Sequence, residues 1–438
     1  MMLPSVLIAC THFPPLNRTG ARRPYYLAKA LREAGHKVSI LTTAEEADAG
    51  WLPDMEGIEV MRCPRTYLQR DLHWGQKVIA RLHQRLKGSF LHGPIRVLAD
   101  LLLPEEHATR WDVQPDEVAQ RLGKADVVLA TVPGWGPARI ASQLARAWDA
   151  TFLLDYRDPG AIAIPEVHMD IVSGHGTGIS GALRRAVFKA RERRLGRSTY
   201  AITAVSQAFL QNAQLITHNR RGAAFHGGFD PAIRFGPPVR NDKFTLVYTG
   251  RLYSEQDWGI VLDALEQLAS SVPDLGRYFR LRIVGAVSND PALFDRIQKA
   301  AVQFDFVEIT PRLSREESVR MQHGADALLH LTYRGRKGYL PVKFLEYIGS
   351  GRPIVLISQE QDVMEAILAE TNTGQLVRDA GSLAKLLRKR LAAWRQGEQW
   401  NIAVDKDALE RYIYPDCLLP WVDQIEIWHR ERLREQKR

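Results

Sequence analysis

Gly338-Tyr-Leu-Pro341-Val-Lys343-Phe-Leu-Glu346-Tyr-Ile-Gly349-Ser-Gly351-Arg-Pro353-Ile-Val-Leu356 is the most informative stretch of the chain. Pro341 suits the first turn of a helix, because the N–H it lacks is one the helix would leave unpaired anyway. Lys343 and Glu346, at i and i+3, share a face near the helix's positive end. Gly349 and Gly351 stop the helix, and the apolar run from Ile354 to Ile357 reads as a short buried strand. A loop plus helix N-terminus binds phosphate, and a carboxylate can accept both ribose hydroxyls. The same two side chains also make an ordinary solvated ion pair.

The alternation of buried strand and helix continues in both directions. Upstream strand candidates are Ser5–Cys10, Lys37–Thr42, Gly57–Met61, Asp126–Thr131, Thr151–Asp155, Tyr200–Val205 and Ala223–His226. A second series runs through Phe244–Tyr248, Arg280–Val284, Val307–Ile309, Ala327–Leu331 and Ile354–Ile357. Short apolar strands separated by helices predict parallel sheets covered on both faces. Two series of similar size predict two doubly wound Rossmann-like α/β domains facing each other. The first domain is expected over 1–225. A linker follows over 226–243, dense in Gly, Pro and charge. The second domain is expected over 244–404, and a helical segment over 405–438 is a candidate to return to the first.

Composition narrows the class. The chain has 438 residues, 45% apolar and 25% charged, which excludes a disordered chain, a collagen or a heptad rod. Three widely spaced cysteines without CxxC exclude a disulfide framework and a zinc finger. The N-terminal run before Thr11 is short and lacks a basic lead, so it reads as a strand rather than a signal peptide. The expected location is the cytoplasm. Lys+Arg number 59 against 50 Asp+Glu, a net charge of +9. No recognition-helix, zinc-finger or aromatic RNA-binding motif accompanies that charge, so nucleic acid is not an expected partner. Two basic helical stretches are a better outlet. One, over 76–103, carries Lys77, Arg81, Arg85, Lys87 and Arg96 against Asp100 alone; the other, over 183–197, has seven Lys/Arg against Glu192. Basic helices with an apolar face can lie on an anionic inner leaflet, though solvated faces are the plain alternative.

In open parallel sheets, ligands bind at the carboxyl ends of strands. After the first strand, the loop Thr11–Arg22 places His12 and Gly20 before a helix, as an anion-approach turn or an ordinary one. After Thr151–Leu154 come Asp155, Arg157 and Asp158, whose charges must pair or face a cleft. A structural Arg–Asp fastening and an acceptor-contacting wall are both open readings. Val247-Tyr-Thr-Gly250-Arg251 ends a strand with an arginine suited to bidentate phosphate contact, or to the surface.

These segments together resemble the retaining glycosyltransferases of the GT-B fold, in the group 1, family-4-like class. The resemblance runs through Phe13-Pro-Pro15, Gly20-Ala-Arg-Arg23, Gly35-His-Lys-Val38, Asp155–Pro159, Ala204-Val-Ser206 and His226–Asp230. It continues through Tyr248–Arg251, Ala325-Asp326, Pro341–Tyr347 and Gly351–Pro353. It implies two domains across a cleft and a nucleoside-diphosphate sugar held by the second. Donor contacts are then expected from Gly250, Arg251, Gln256, Gly338, Tyr339, Leu340, Pro341, Lys343 and Glu346. Glu346 matches the ribose-binding carboxylate and Arg251 the cation on the diphosphate. Arg251, Lys343 and Asp158 are the expected catalytic residues; His12, Gly20, Trp135, Arg157 and Asp158 are expected on the acceptor side. No metal and no resident cofactor are expected. The acceptor class is a hydroxyl of a glycan, lipid-linked or small molecule.

The chain departs from the family pattern in three places. Gly338 replaces a glutamate, as in subfamilies with Pro-x-Lys-x-x-Glu-Tyr. Gln256 replaces a second cation, and Pro133-Gly-Trp-Gly-Pro137 replaces a histidine-bearing loop. A nucleotide-sugar epimerase on the same fold and a non-catalytic nucleotide-sugar binder are the alternative readings.

Overall fold

A computed structural model describes residues 3–44, 51–66, 70, 72–103, 110–159, 178–233, 241–288 and 290–438. Part of the expected linker (234–240) and the side chain of Arg184 lie outside the described residues. The chain divides into two compact units, 1–226 with 418–438, and 227–417.

The first unit is built on β1 (Val6–Ala9), β2 (Val38–Thr43), β3 (Ile58–Cys63), β6 (Val127–Val132), β7 (Thr151–Tyr156), β8 (Ala201–Ala204) and β9 (Gly222–Ala224). They form a parallel sheet in the order β3-β2-β1-β6-β7-β8-β9. A separate antiparallel ribbon pairs β4 (Arg65–Thr66) with β5 (Arg110–Trp111). β1, β2, β6, β7 and β8 are buried along their whole length, as strands covered on both faces must be.

The second unit contains β10 (Phe244–Thr249), β11 (Phe279–Val284), β12 (Val307–Thr310), β13 (Ala327–Leu331), β14 (Ile354–Ile357) and β15 (Gly374–Val377). Their order is β12-β11-β10-β13-β14-β15, again all parallel. Side chains alternate between two cores. Phe244, Leu246 and Tyr248 of β10, with Leu329, Leu331, Val355 and Ile357, pack with Trp258 and Leu265 on one face. Val247, Leu328, Ile354 and Leu356 pack with Phe344, Tyr347 and Ile348 on the other. Both faces are therefore apolar at the centre of the sheet, which gives β10, β13 and β14 their fully buried runs.

The structure differs from the sequence reading in one boundary and one strand. Residues 405–417 stay with the second unit, where Tyr412 O accepts from Phe229 N–H at 2.8 Å. Only the helix Leu419–Gln436, with the residue before it, joins the first unit. It buries Trp421, Val422, Ile425 and Trp428 there, and its polar face is tied down. His36 Nε2 lies 3.1 Å from Glu426, Thr151 Oγ1 lies 2.8 Å from His429 Nδ1, and Arg432 pairs with Asp149 at 2.5 Å. The strand β15 was not anticipated. It is an edge strand whose middle residues are exposed, so it lacks the apolar run that marks the others.

Candidate functional site

In the second unit the expected donor residues gather at the carboxyl ends of β10 and β13. The helix Val342–Gly349 has Pro341 as its N-cap, so it begins one residue later than the sequence suggested. The Phe344 amide returns to Pro341 O at 3.0 Å, while the Val342 and Lys343 amides lie at an end where a helix offers no internal acceptors. Lys343 reaches back across β10. Its Nζ donates to the Tyr248 hydroxyl at 2.8 Å and to Thr249 O at 3.3 Å, and sits 4.1 Å from the Tyr248 ring centroid. These partners are all neutral, so burial is unopposed and pushes the ammonium from 10.5 down to about 7. A carbon added at Gly250 would stand 3.7 Å from that Nζ, which places Gly250 and Lys343 side by side.

The Tyr248 hydroxyl is a junction. It lies 2.6 Å from Arg251 O and 3.0 Å from Gln256 Oε1, the acceptors for its one proton, while accepting from Lys343. Gln256 is only 2% exposed. Its Oε1 also accepts from Tyr253 N–H, and its Nε2 donates to Leu331 O at 3.2 Å. Its whole amide is thus engaged inside the protein, holding the loop after β10 onto β13. The geometry gives it a structural task beside the expected donor residues. Arg251, next to it, is exposed.

Glu346 is 8% exposed and pairs with Arg315 at 2.6 Å. The i, i+3 pair with Lys343 that spacing allowed does not form; each side chain has another partner. Arg315 opens the helix Arg315–His323, whose Ser314–Glu317 capping box is legible in sequence. Its pairing with a residue on another helix is not.

Gly338 adopts φ +75°, a conformation that L side chains rarely adopt, so a glutamate there would strain the loop as it stands. Its N–H donates to the half-buried Asp362 carboxylate, whose protonation partial burial favours. That amide is therefore not among those left open for an anion. Tyr339 meets Tyr333 edge-on at 4.8 Å, and both rings, with Tyr253, surround the Arg336 guanidinium at 5.2–6.0 Å. Arg336 also pairs with Glu255. This clasp joins the loop after β10 to the loop after β13, and sequence reading missed it, because its members come from two distant loops. Leu340 leans on the core beside Tyr339. His330 on β13 is fully buried, with neither ring nitrogen hydrogen-bonded. Burial, with Lys343 nearby, holds it well below the usual histidine range.

In the first unit, His12, Gly20, Arg157 and Asp158 meet at the carboxyl ends of β1 and β7. The helix here spans Thr19–Glu33, starting four residues before the expected Arg23, with Pro24 inside it. Pro24 has no N–H to give to Gly20 O, its i−4 acceptor. Arg157 supplies the missing donor: its Nη1 is 3.0 Å from Gly20 O. Only glycine admits that approach, since a Cβ on residue 20 would lie 2.2 Å from Nη1 and 3.0 Å from the His12 ring. Arg157 also reaches Pro133 O at 3.4 Å and stands 3.5 Å from Asp158. Trp135 is 6% exposed and opens the helix Trp135–Trp148; most of its surface is packed rather than offered to an acceptor.

Asp155 separates from its neighbours. Fully buried, it receives a bidentate pair from Arg23 at 2.8 and 2.9 Å and a bond from Thr203 at 2.9 Å. Arg23 also donates to Phe225 O at 2.8 Å and lies over the Trp421 ring at 4.3 Å. The structural fastening allowed by the sequence thus exists, but its arginine is Arg23, and Arg157 and Asp158 remain half-exposed at the strand end.

Comparison with known proteins agrees with this architecture. Residues 243–393 match the family described as glycosyl transferases group 1, and residues 19–221 match the glycosyl transferase 4-like domain. Among solved structures, the chain is similar to sucrose-phosphate synthase from Thermosynechococcus elongatus, with 16% identity, 97% of this chain and 98% of that one covered, and a TM-score of 0.57. It is similar to Anabaena HepE in complex with UDP-glucose, at 14% identity, 99% and 100% coverage and a TM-score of 0.56. WaaG, a glycosyltransferase involved in lipopolysaccharide biosynthesis, shows 17% identity, 93% and 95% coverage and a TM-score of 0.51. At such identities these likenesses speak to the fold. No curated protein matches the chain in sequence. With one glycosyltransferase family match on each of its two parallel α/β sheets, the chain belongs to the group 1, family-4-like glycosyltransferases of the GT-B fold.

Proposed function

We propose that this glycosyltransferase moves a sugar from a nucleoside-diphosphate sugar to a hydroxyl of a glycan, lipid-linked or small-molecule acceptor, with retention at the anomeric carbon. The observation that carries the reading is Lys343. A lysine with only neutral partners, beside open helix N-terminal amides, is poised for an anion that the protein itself does not supply. Arg251, Lys343 and the Val342 and Lys343 amides would take up the charge that develops on the leaving diphosphate, the main electrostatic task of such a transfer. Glu346, paired with Arg315, would accept the ribose hydroxyls. Arg157, Asp158 and His12 would face the acceptor hydroxyl. These cations perform the neutralising role that a metal plays in other transferases, so turnover should persist in EDTA.

HepE was solved with UDP-glucose, which makes UDP-sugars the first donors to test. Thermal shift across UDP-, GDP- and dTDP-sugars identifies the donor. Release of nucleoside diphosphate is then followed with and without acceptor. Release that depends on an acceptor supports transfer. Conversion of the donor alone would make the chain an epimerase, and binding without turnover would make it a non-catalytic relative.

A further inference from the structure

The helices Trp74–Arg85 and His92–Leu102 form a hairpin on the first unit. Its inner side is closed. Ala80, Ala99 and Leu103 pack with Ile79, and His83 and Asp100 are buried beside them. Gln76 Nε2 ties the two helices together at Leu102 O, 2.7 Å away. The hairpin is held from behind by the helix Gly178–Ser198, where Arg191 donates to Leu103 O.

Its outer side is the reverse of a normal protein surface. Trp74, Val78 and Leu82 recur at i, i+4 and i+8, so they form one stripe along the first helix, and all three are exposed. Trp74 is 81% exposed, and Phe90, in the turn between the helices, is 91% exposed. Leu98 and Leu102 continue the apolar surface on the second helix. Single exposed apolar residues are ordinary, but a cluster of this kind marks an interaction site. The stripe is flanked by Lys77, Arg81, Arg85 and Lys87, none of which forms an ion pair among the described residues. Asp100 is the only acid of residues 72–103, and it points inward, at 1% exposure.

We infer that this hairpin is a docking surface for an anionic phospholipid bilayer, with the Trp74–Val78–Leu82 stripe and Phe90 entering the headgroup layer. Aromatic and aliphatic side chains bordered by lysine and arginine, with no exposed acid among the described residues of the hairpin, match a layer that is apolar beneath and negative above. A protein partner would need acids facing those four cations and apolar side chains facing Trp74; a bilayer presents both at once. Binding is interfacial, because no helix among the described residues is long and apolar enough to cross a membrane. The second basic stretch is partly engaged within the protein. In the stretch 183–197, Arg191 and Arg193 donate to Leu103 O and Ile216 O, and Glu192 is buried. That helix supports the hairpin through Arg191 and leaves Lys189, Arg194 and Arg197 exposed.

The test is co-sedimentation of the full chain with phosphatidylcholine vesicles and with vesicles half phosphatidylglycerol, at low and high salt. Two variants accompany it: Trp74→Ser/Phe90→Ser, and Lys77→Gln/Arg81→Gln/Arg85→Gln/Lys87→Gln. Thermal unfolding and UDP-induced thermal shift verify that each variant is folded. Wild type should bind the anionic vesicles only, and salt should weaken binding without abolishing it. Each charge near an anionic surface is worth about fivefold in partitioning, so the charge variant should lose binding by a few hundredfold. The Trp74/Phe90 variant should keep binding at low salt and lose the salt-resistant part. Equal sedimentation of all three proteins, or none with either vesicle, would overturn the inference. So would a concentration-dependent dimer that disappears in the Trp74/Phe90 variant, which would make the stripe a contact between copies of this chain.

Discussion

Lys343 makes a quantitative prediction about pH. Its ammonium is displaced from 10.5 to about 7 by burial, which disfavours the charged form by roughly 5 kcal/mol. The folded pKa lies below the unfolded one, so between these values the unfolded chain binds more protons than the folded one. The contribution of Lys343 to the stability of the free protein therefore rises as pH goes from 7 to 10.5 and is flat below 7. A bound diphosphate reverses the preference, because its negative charge favours the ammonium. Donor binding should then take up about half a proton at pH 7 and nearly one at pH 8.5. Affinity for a nucleoside-diphosphate sugar should fall about fivefold from pH 7 to 8, and about tenfold over the next unit. No neighbour obscures that window. Tyr248 and Tyr347 are raised above 10 by burial, and His330 is held well below 6.5. Calorimetry in two buffers of different ionisation enthalpy, from pH 6.5 to 9, reads proton uptake directly. Lys343→Met should bind the donor more weakly at pH 7 and show no uptake. An affinity independent of pH for the wild type, or uptake that survives in Lys343→Met, would refute the assignment.

Other outcomes follow from single contacts. Glu346→Ala should abolish nucleotide binding while the fold survives, since the arginine it leaves is partly solvated; unchanged donor affinity would assign Glu346 to its Arg315 pair alone. Arg251→Ala should lower kcat/KM by at least about 100-fold, as loss of an electrostatic stabiliser does, whereas a loss under about fivefold would remove the diphosphate role. Gly20→Ala should displace Arg157 from its carbonyl, given the 2.2 Å approach, raising acceptor KM while donor binding in the other unit is unchanged. Arg23→Ala leaves Asp155 buried without its cation and should destabilise the first unit by about 3–5 kcal/mol, read as a lowered urea midpoint for that unit.

The two parallel sheets were legible in the sequence because most of their central strands are short apolar runs. Phe244–Thr249 and Ala327–Leu331 bury both faces, so their period and their composition agree. The helix carrying Lys343 and Glu346 was equally plain, because Pro341 and the glycines mark its ends within a few residues. Spacing along one helix even suggested a pair between the two side chains. Spacing states which groups can meet locally, and it says nothing of the groups that other elements bring to the same place.

The amino-acid order by itself determined the strand–helix alternation, the split into two α/β units and the residue types at the strand ends. Tertiary structure decided the partners. Arg23 finds Asp155 across 132 residues because β7 lies beside β6 and next but one to β1 in the sheet. Arg157 finds Gly20 for the same reason, at an acceptor that Pro24 had left open. Lys343 loses its charge preference only when Tyr248, Thr249 and the apolar helix face close around it, and Glu346 finds Arg315 because another helix delivers it. Local periodicity is set by a few consecutive dihedrals and can be read from a short stretch. Ion pairs, desolvation and exposure are properties of strand order and packing, which come into being only when distant segments share one core.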